Sequence, residues 1–118
     1  MKFAHIALII SDLDQSAQFY EGLLGLKRIT RPDLGFDGVW FGLDEGQEIH
    51  LMLLDNPYLD CSRPAHGGRD NHLALQVDDF ELIRSRIECA GIRYTMSKSG
   101  RQALFCRDPD GNTLELMT

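Results

Sequence analysis

Two kinds of hydrophobic pattern alternate along the chain, and each occurs twice. AHIALIISD, residues 4–12, and NHLALQVDD, residues 71–79, are apolar runs closed by aspartate and matched at an offset of 67. Short apolar runs bounded by turn formers predict strands. Each is followed by a helical pattern. Leu13, Ala17, Tyr20 and Leu24 fall at spacings of 4, 3 and 4 before Gly25, and Phe80, Ile83, Ile87 and Ala90 repeat the stripe before Gly91. Asp12 is placed to cap the first helix, with Gln15 reaching back. Gly25-Leu26-Lys27 then matches Gly91-Ile92-Arg93 at an offset of 66. VWFGLDEGQEIHLM, residues 39–52, matches ALFCRDPDGNTLELM, residues 103–117, with one residue inserted in the second turn; past it, Ile49, His50, Leu51 and Met52 pair with Leu114, Glu115, Leu116 and Met117 at an offset of 65. Strands are expected near 3–10, 27–31, 39–43 and 48–54, then near 71–77, 92–97, 102–107 and 113–117. The chain is therefore expected to be α+β, one domain over 1–118 made of two βαβββ modules. Module 1 covers about 1–55, a connecting loop about 56–70, and module 2 about 71–118.

Strand parity assigns the polar residues to faces. Leu73, Leu75 and Val77 share one face and His72, Ala74 and Gln76 the other; Leu114 and Leu116 oppose Thr113, Glu115 and Met117; Ile49, Leu51 and Leu53 oppose Glu48, His50 and Met52. The first strand is apolar on both faces, so the repeat alone gives His5 the direction of His72. A single strand histidine is ordinarily a hydrogen-bonded structural residue. Here His5 and His72 occupy one repeat position and His50 and Glu115 another, and a pseudo-twofold axis between modules would bring all four together. Three imidazoles and a carboxylate with no shared cation would leave buried polar groups short of partners. The mixed nitrogen and oxygen set suits one divalent ion such as Zn, Ni, Co, Fe or Mn.

Composition narrows the field. With 18 acidic against 12 basic residues, the net charge is −6 and the basic residues form no block, which argues against nucleic-acid or anionic-membrane partners. No apolar stretch is long enough to span a bilayer, and a cytoplasmic location is expected. Cys61, Cys89 and Cys106 are odd in number and lack C-x-x-C spacing, so neither a disulfide framework nor a thiolate zinc site is indicated.

HIALIISDLDQSAQFYEGLLGLK, NHLALQVDD and DPDGNTLEL together resemble the vicinal oxygen chelate superfamily, which includes glyoxalase I, methylmalonyl-CoA epimerase, extradiol dioxygenases, fosfomycin-resistance thiol transferases and bleomycin-binding proteins. The resemblance runs over essentially the whole chain. It implies paired βαβββ modules in an open, cupped mixed sheet, commonly a homodimer, and its metal ligands fall on His5, His50, His72 and Glu115. Glyoxalase I usually carries a carboxylate where this chain has His50. The places of its glutathione-contacting Arg and Asn hold Ile9 and Leu54, which argues against glutathione as cosubstrate. Thr95 and Phe105 stand where fosfomycin transferases need cationic and phenolic contacts.

The function this implies is a glyoxalase-like lyase or isomerase in which the metal stabilises an enediolate on a small oxygenated substrate. Glu115, the only acid in the set, is then both ligand and candidate catalytic base. Two alternatives belong to other classes: a non-haem iron ring-cleaving (extradiol-type) dioxygenase, since His5, His72 and Glu115 alone make a 2-His-1-carboxylate triad, and a metal-free small-molecule binder of the bleomycin-resistance kind. Arg101 shares strand parity with Ala103 and Phe105 and is a candidate contact for a substrate carboxylate. The loop with Cys61, Arg63, His66 and Arg69 is a candidate lid, and Trp40 and Phe41 are expected to be packing residues.

Overall fold

A computed structural model describes residues 1–118. By internal packing the chain divides into Met1–Leu59 and Asp60–Thr118. Residues 60–70 of the expected connector thus belong to the second module.

In the first module β1 (His5–Ile10) leads into a helix, α1 (Leu13–Ala17), followed by β2 (Lys27–Ile29), β3 (Gly38–Gly42) and β4 (Glu48–Leu53). The second contains β5 (His72–Gln76), α2 (Phe80–Cys89), β6 (Tyr94–Met96), β7 (Ala103–Arg107) and β8 (Thr113–Met117). The sheets have orders β1-β4-β3-β2 and β5-β8-β7-β6. In each, the first and last strands of the module pair in parallel and the other pairs are antiparallel. Two α+β modules of one topology follow, as the repeat requires. No helix is long and apolar enough to cross a membrane.

Capping starts both helices as expected. Asp12 Oδ1 accepts from Gln15 N at 2.8 Å and Asp79 Oδ1 from Leu82 N at 2.9 Å. Both end at a glycine in the left-handed region, Gly25 with φ of 76° and Gly91 with φ of 68°. The first helix differs from expectation within. After Ala17 it widens into a π-helix over Gln18–Leu23, where Leu24 N donates to Phe19 O, five residues back. The extra residue in the turn rotates the buried face, so Ser16, Phe19, Tyr20 and Leu23 are buried while Leu13, Ala17 and Leu24 are only half-buried. A stripe drawn at 3.6 residues per turn misses this. In α2, regular throughout, Phe80, Ile83 and Ile87 are buried as expected, and Ala90 is exposed.

Each helix covers one face of its own sheet. Tyr20 stacks on Phe41 with ring centroids 5.9 Å apart, and in the second module Tyr94, which pairs with Cys106, bonds through its hydroxyl to Arg84 and Glu88 of α2. Ile10, Tyr20, Phe41, Ile49 and Leu51 form the first core, and Ile87, Leu104, Leu114 and Leu116 the centre of the second, all fully buried. Each such side chain contributes about 1.5–3 kcal/mol by leaving water. The opposite face of each sheet, free of its helix, carries the candidate site residues.

The register corrects one detail of the repeat. Trp40 pairs with His50 and Phe105 with Glu115, so Trp40, and not Phe41, is the equivalent of Phe105. The offset is 65 along both last hairpins, and no residue is inserted. Leu43 N to Gln47 O at 2.8 Å and Asp108 N to Asn112 O at 3.0 Å close turns of equal length. Matching Phe41 to Phe105 by side-chain type had shifted the strands by one. Phe41 faces the core, and Trp40 lies beside the histidines.

Candidate metal and substrate site

Identical parallel register places the four residues in two equivalent pairs. His5 lies opposite Glu48, two residues before His50 on the same face; His72 lies opposite Thr113, two residues before Glu115 on the same face. One step across a parallel ladder and one pleat repeat along it bring such diagonal neighbours within reach of each other. In the first module the His5 and His50 rings stack with centroids 4.2 Å apart. In the second, His72 Nε2 lies 3.4 Å from Glu115 Oε2.

Hydrogen bonds fix the ring nitrogens. His72 Nδ1 is 2.8 Å from the Asp70 peptide oxygen, which can only accept, so Nδ1 donates there and the ring turns Nε2 toward Glu115. The Glu115 carboxylate is buried, 6% exposed. Nε2 and the carboxylate oxygen, 3.4 Å apart, are reconciled by a cation between them or by a proton on Nε2. A peptide carbonyl behind a ligating histidine is the usual way of holding Nε2 toward a metal. The second pair therefore fits a divalent ion.

The first pair is held differently. His50 Nε2 lies 2.6 Å from Glu48 Oε2, so His50 gives that nitrogen to Glu48 and keeps Nδ1 for any other partner. Its ring is sandwiched between His5 and Trp40, the latter at 3.7 Å and only 2° from parallel, which explains its burial. No three His, Cys, Asp or Glu side chains converge to hold a metal; each module brings two of the four expected residues together.

Several residues beyond those expected surround these two pairs. Glu48 supplies a second carboxylate on the His50 face, and the E-x-H alternation had already put both side chains there. Phe105 meets the His72 ring edge-on with centroids 5.2 Å apart. Asp70 is the hub of the second module: its Oδ2 accepts from Arg107 Nη1 at 2.7 Å, Arg63 Nη1 at 3.2 Å and Thr113 Oγ1 at 3.1 Å, while its peptide oxygen holds His72. Burial opposes ionisation there, but the Arg107, Arg63 and Thr113 donors prevail and hold its carboxyl at about 2. These bonds tie the 63–70 loop to β7 and β8, and His66 Nε2 to Met96 O at 3.1 Å ties it to β6. These contacts seat residues 63–70 against the strands of the second module.

Arg101 stands apart. It lies in the turn before β7, which begins at Ala103, is exposed, and sits 3.4 Å from Ser99 Oγ through its Nε. Strand parity therefore does not extend to it. All three cysteines are free. Burial and the charge of Asp108 push the Cys106 thiol up to about 12, so it is not a nucleophile here.

Comparison with known proteins accords with this architecture. The chain is 33% identical to Glyoxylase I 4 of Arabidopsis thaliana over 95% of its length and 67% of that protein. It is 27% identical to a lactoylglutathione lyase of Haemophilus influenzae, covering 99% of this chain and 92% of the relative. Among solved structures, the trypanothione-dependent glyoxalase I of Leishmania major superposes with a TM-score of 0.78 over 100% of this chain and 86% of its own, at 21% identity, a likeness of fold. Residues 2–116 match the family model for these proteins. With that span and the duplicated βαβββ topology, the chain belongs to the Glyoxalase/Bleomycin resistance protein/Dioxygenase superfamily.

Proposed function

We propose that the protein is a divalent-metal-dependent, glyoxalase-like lyase or isomerase that moves a proton on a small oxygenated substrate. The observation that carries this is the His72–Glu115 pair, with Nε2 turned to within 3.4 Å of a buried carboxylate and Nδ1 held from behind by Asp70. His5 and His50 supply the other two donors of a four-residue set, drawn from one chain or from two chains of a homodimer. When bound, a divalent ion supplies Lewis acidity that stabilises negative charge developing on substrate oxygen. Glu115 is the base: its buried carboxylate takes a proton from the carbon beside that oxygen and returns it to the neighbouring carbon. His72, held by the Asp70 peptide oxygen, presents Nε2 beside Glu115 as the second donor to the ion. Trp40 and Phe105 give the two pairs apolar walls that limit water. The lyases among the relatives favour this class of reaction. Ile9 and Leu54 offer no polar contact to glutathione, and an adduct of a different thiol, or another α-hydroxycarbonyl compound, is the expected substrate class.

The test has two parts. Metal content after loading with Ni, Co, Zn, Mn or Fe and dialysis should reach one ion per chain, and light scattering should give a dimer. Metal-loaded protein should exchange a substrate C–H with solvent deuterium, and Glu115→Gln should abolish exchange while keeping metal, because the amide oxygen still ligates but is no base. Substoichiometric metal under every loading condition would overturn the ligand set. Dioxygen consumption with a catechol, without solvent exchange on any hydroxycarbonyl, would move the assignment to a dioxygenase.

A further inference from the structure

The second module contains a cavity of about 490 Å³, formed between the anchored 63–67 loop and the outer strands β6 and β7. Its lining includes three arginines, Arg63, Arg93 and Arg107, with Thr95 and Phe105, and no carboxylate. In a chain with 18 acidic and 12 basic residues, a wall with three guanidinium groups and no acid is a marked local reversal of sign. The three are not equivalent. Arg107 is committed, through Nη1 to Asp70 and Gly111 O and through Nη2 to Pro64 O at 2.8 Å. Arg63 gives Nη1 to Asp70. Arg93 is exposed, with neither an ion-pair nor a hydrogen-bond partner. Asp70 thus offsets one of three positive charges and immobilises two of the side chains, leaving donors on Arg63 and Arg93 for something else.

Phe105 is the wall that this cavity shares with the His72–Glu115 pair, since its ring also touches His72. We propose that the cavity is a subsite for anionic oxygens of the substrate, a carboxylate or a phosphate, bound by Arg93 and the free edge of Arg63 while the reacting carbon lies beyond Phe105 at Glu115. Planar guanidinium forks match both anions in two-point geometry. The cationic contact expected at Arg101 is thereby assigned to Arg63 and Arg93. That the same molecule fills both places rests on the function proposed above; the anion subsite itself does not.

The experiment separates the two. Protein in EDTA, with no metal and no turnover, is titrated with succinate, with inorganic phosphate and with glycerol as an uncharged control, following the ¹H–¹⁵N signals of Arg63, Arg93 and Thr95. Saturable shifts at these residues with either anion, and none with glycerol, are expected. The tighter-binding anion identifies the oxygen chemistry. Arg93→Gln, at an exposed position, should weaken binding about tenfold, the loss expected for one charge-assisted contact. No saturable shift with either anion, unchanged affinity in Arg93→Gln, or shifts confined to His72 and Glu115 would each overturn the subsite. Anion binding that persists in EDTA, beside a failed deuterium-exchange assay, would refute the proposed reaction and leave the subsite standing.

Discussion

Replacing Asp70 by asparagine keeps the shape of the hub and removes its charge. The carboxylate sits under Arg107, Arg63 and Thr113, and although burial opposes ionisation, these donors hold it at about 2 against an ordinary value of 3.8. At ~1.36 kcal/mol per tenfold change in the acid constant, that gap sets an upper limit of ~2.4 kcal/mol on the contribution to stability. Both guanidinium groups touch solvent, with side chains 27% and 29% exposed, and screening reduces the contribution to about 1–2 kcal/mol. The sign follows from the folded state having the lower value. The contribution is complete above the unfolded value near 3.8 and is lost as pH falls through that value toward 2. Asp70→Asn carries nothing to titrate at this position. Urea unfolding followed by circular dichroism should therefore place the variant about 1–2 kcal/mol below the parent near neutral pH, with the gap closing steadily below about pH 4. A gap that stays constant into acid, or no gap at neutral pH, would refute the account of the hub.

Two further outcomes are expected. Gly38→Ala drives a Cβ into the Leu51 carbonyl oxygen, backbone that cannot swing aside, so the β3–β4 pair must shift and the denaturation midpoint should fall by the equivalent of about 1–3 kcal/mol; an unchanged midpoint would contradict the close approach. A thiol reagent should modify the exposed Cys61 and Cys89 in the native protein and Cys106 only after unfolding, as its burial and raised pKa require; equal rates at all three would contradict the burial of β7.

Much of the architecture was legible because it is written twice. A short strand that opens on a histidine, an aspartate cap and a helix ending in glycine recur in order, and strand parity, which has a strict period of two, then assigned His72, Glu115 and His50 to the face away from the helices. Where a period has to be assumed, the inference was weaker. The first helix carries an apolar stripe compatible with a regular helix, and nothing in its residues announces the π-helical turns that bury Phe19 and Leu23 instead. The matching of Phe41 to Phe105 failed because two adjacent aromatics, Trp40 and Phe41, compete for one partner, and only the hydrogen-bonded register chooses between them. Asp70 was invisible for a different reason. Its partners Arg107 and Thr113 lie 37 and 43 residues away, and ion pairs of that separation leave no local pattern. Glu48 was within reach of the sequence, two residues from His50 on its own face.

Trp40 stacks flat on His50 in the first module, and the chain has no other tryptophan; the equivalent place in the second module holds Phe105. The duplication is thus optically asymmetric. Intrinsic fluorescence excited at the indole reports on the first module alone, while far-ultraviolet circular dichroism sums over both. Coincident transitions by the two signals would mean that the modules melt as one cooperative body, whereas separated transitions would give the stability of each without cutting the chain or adding a label.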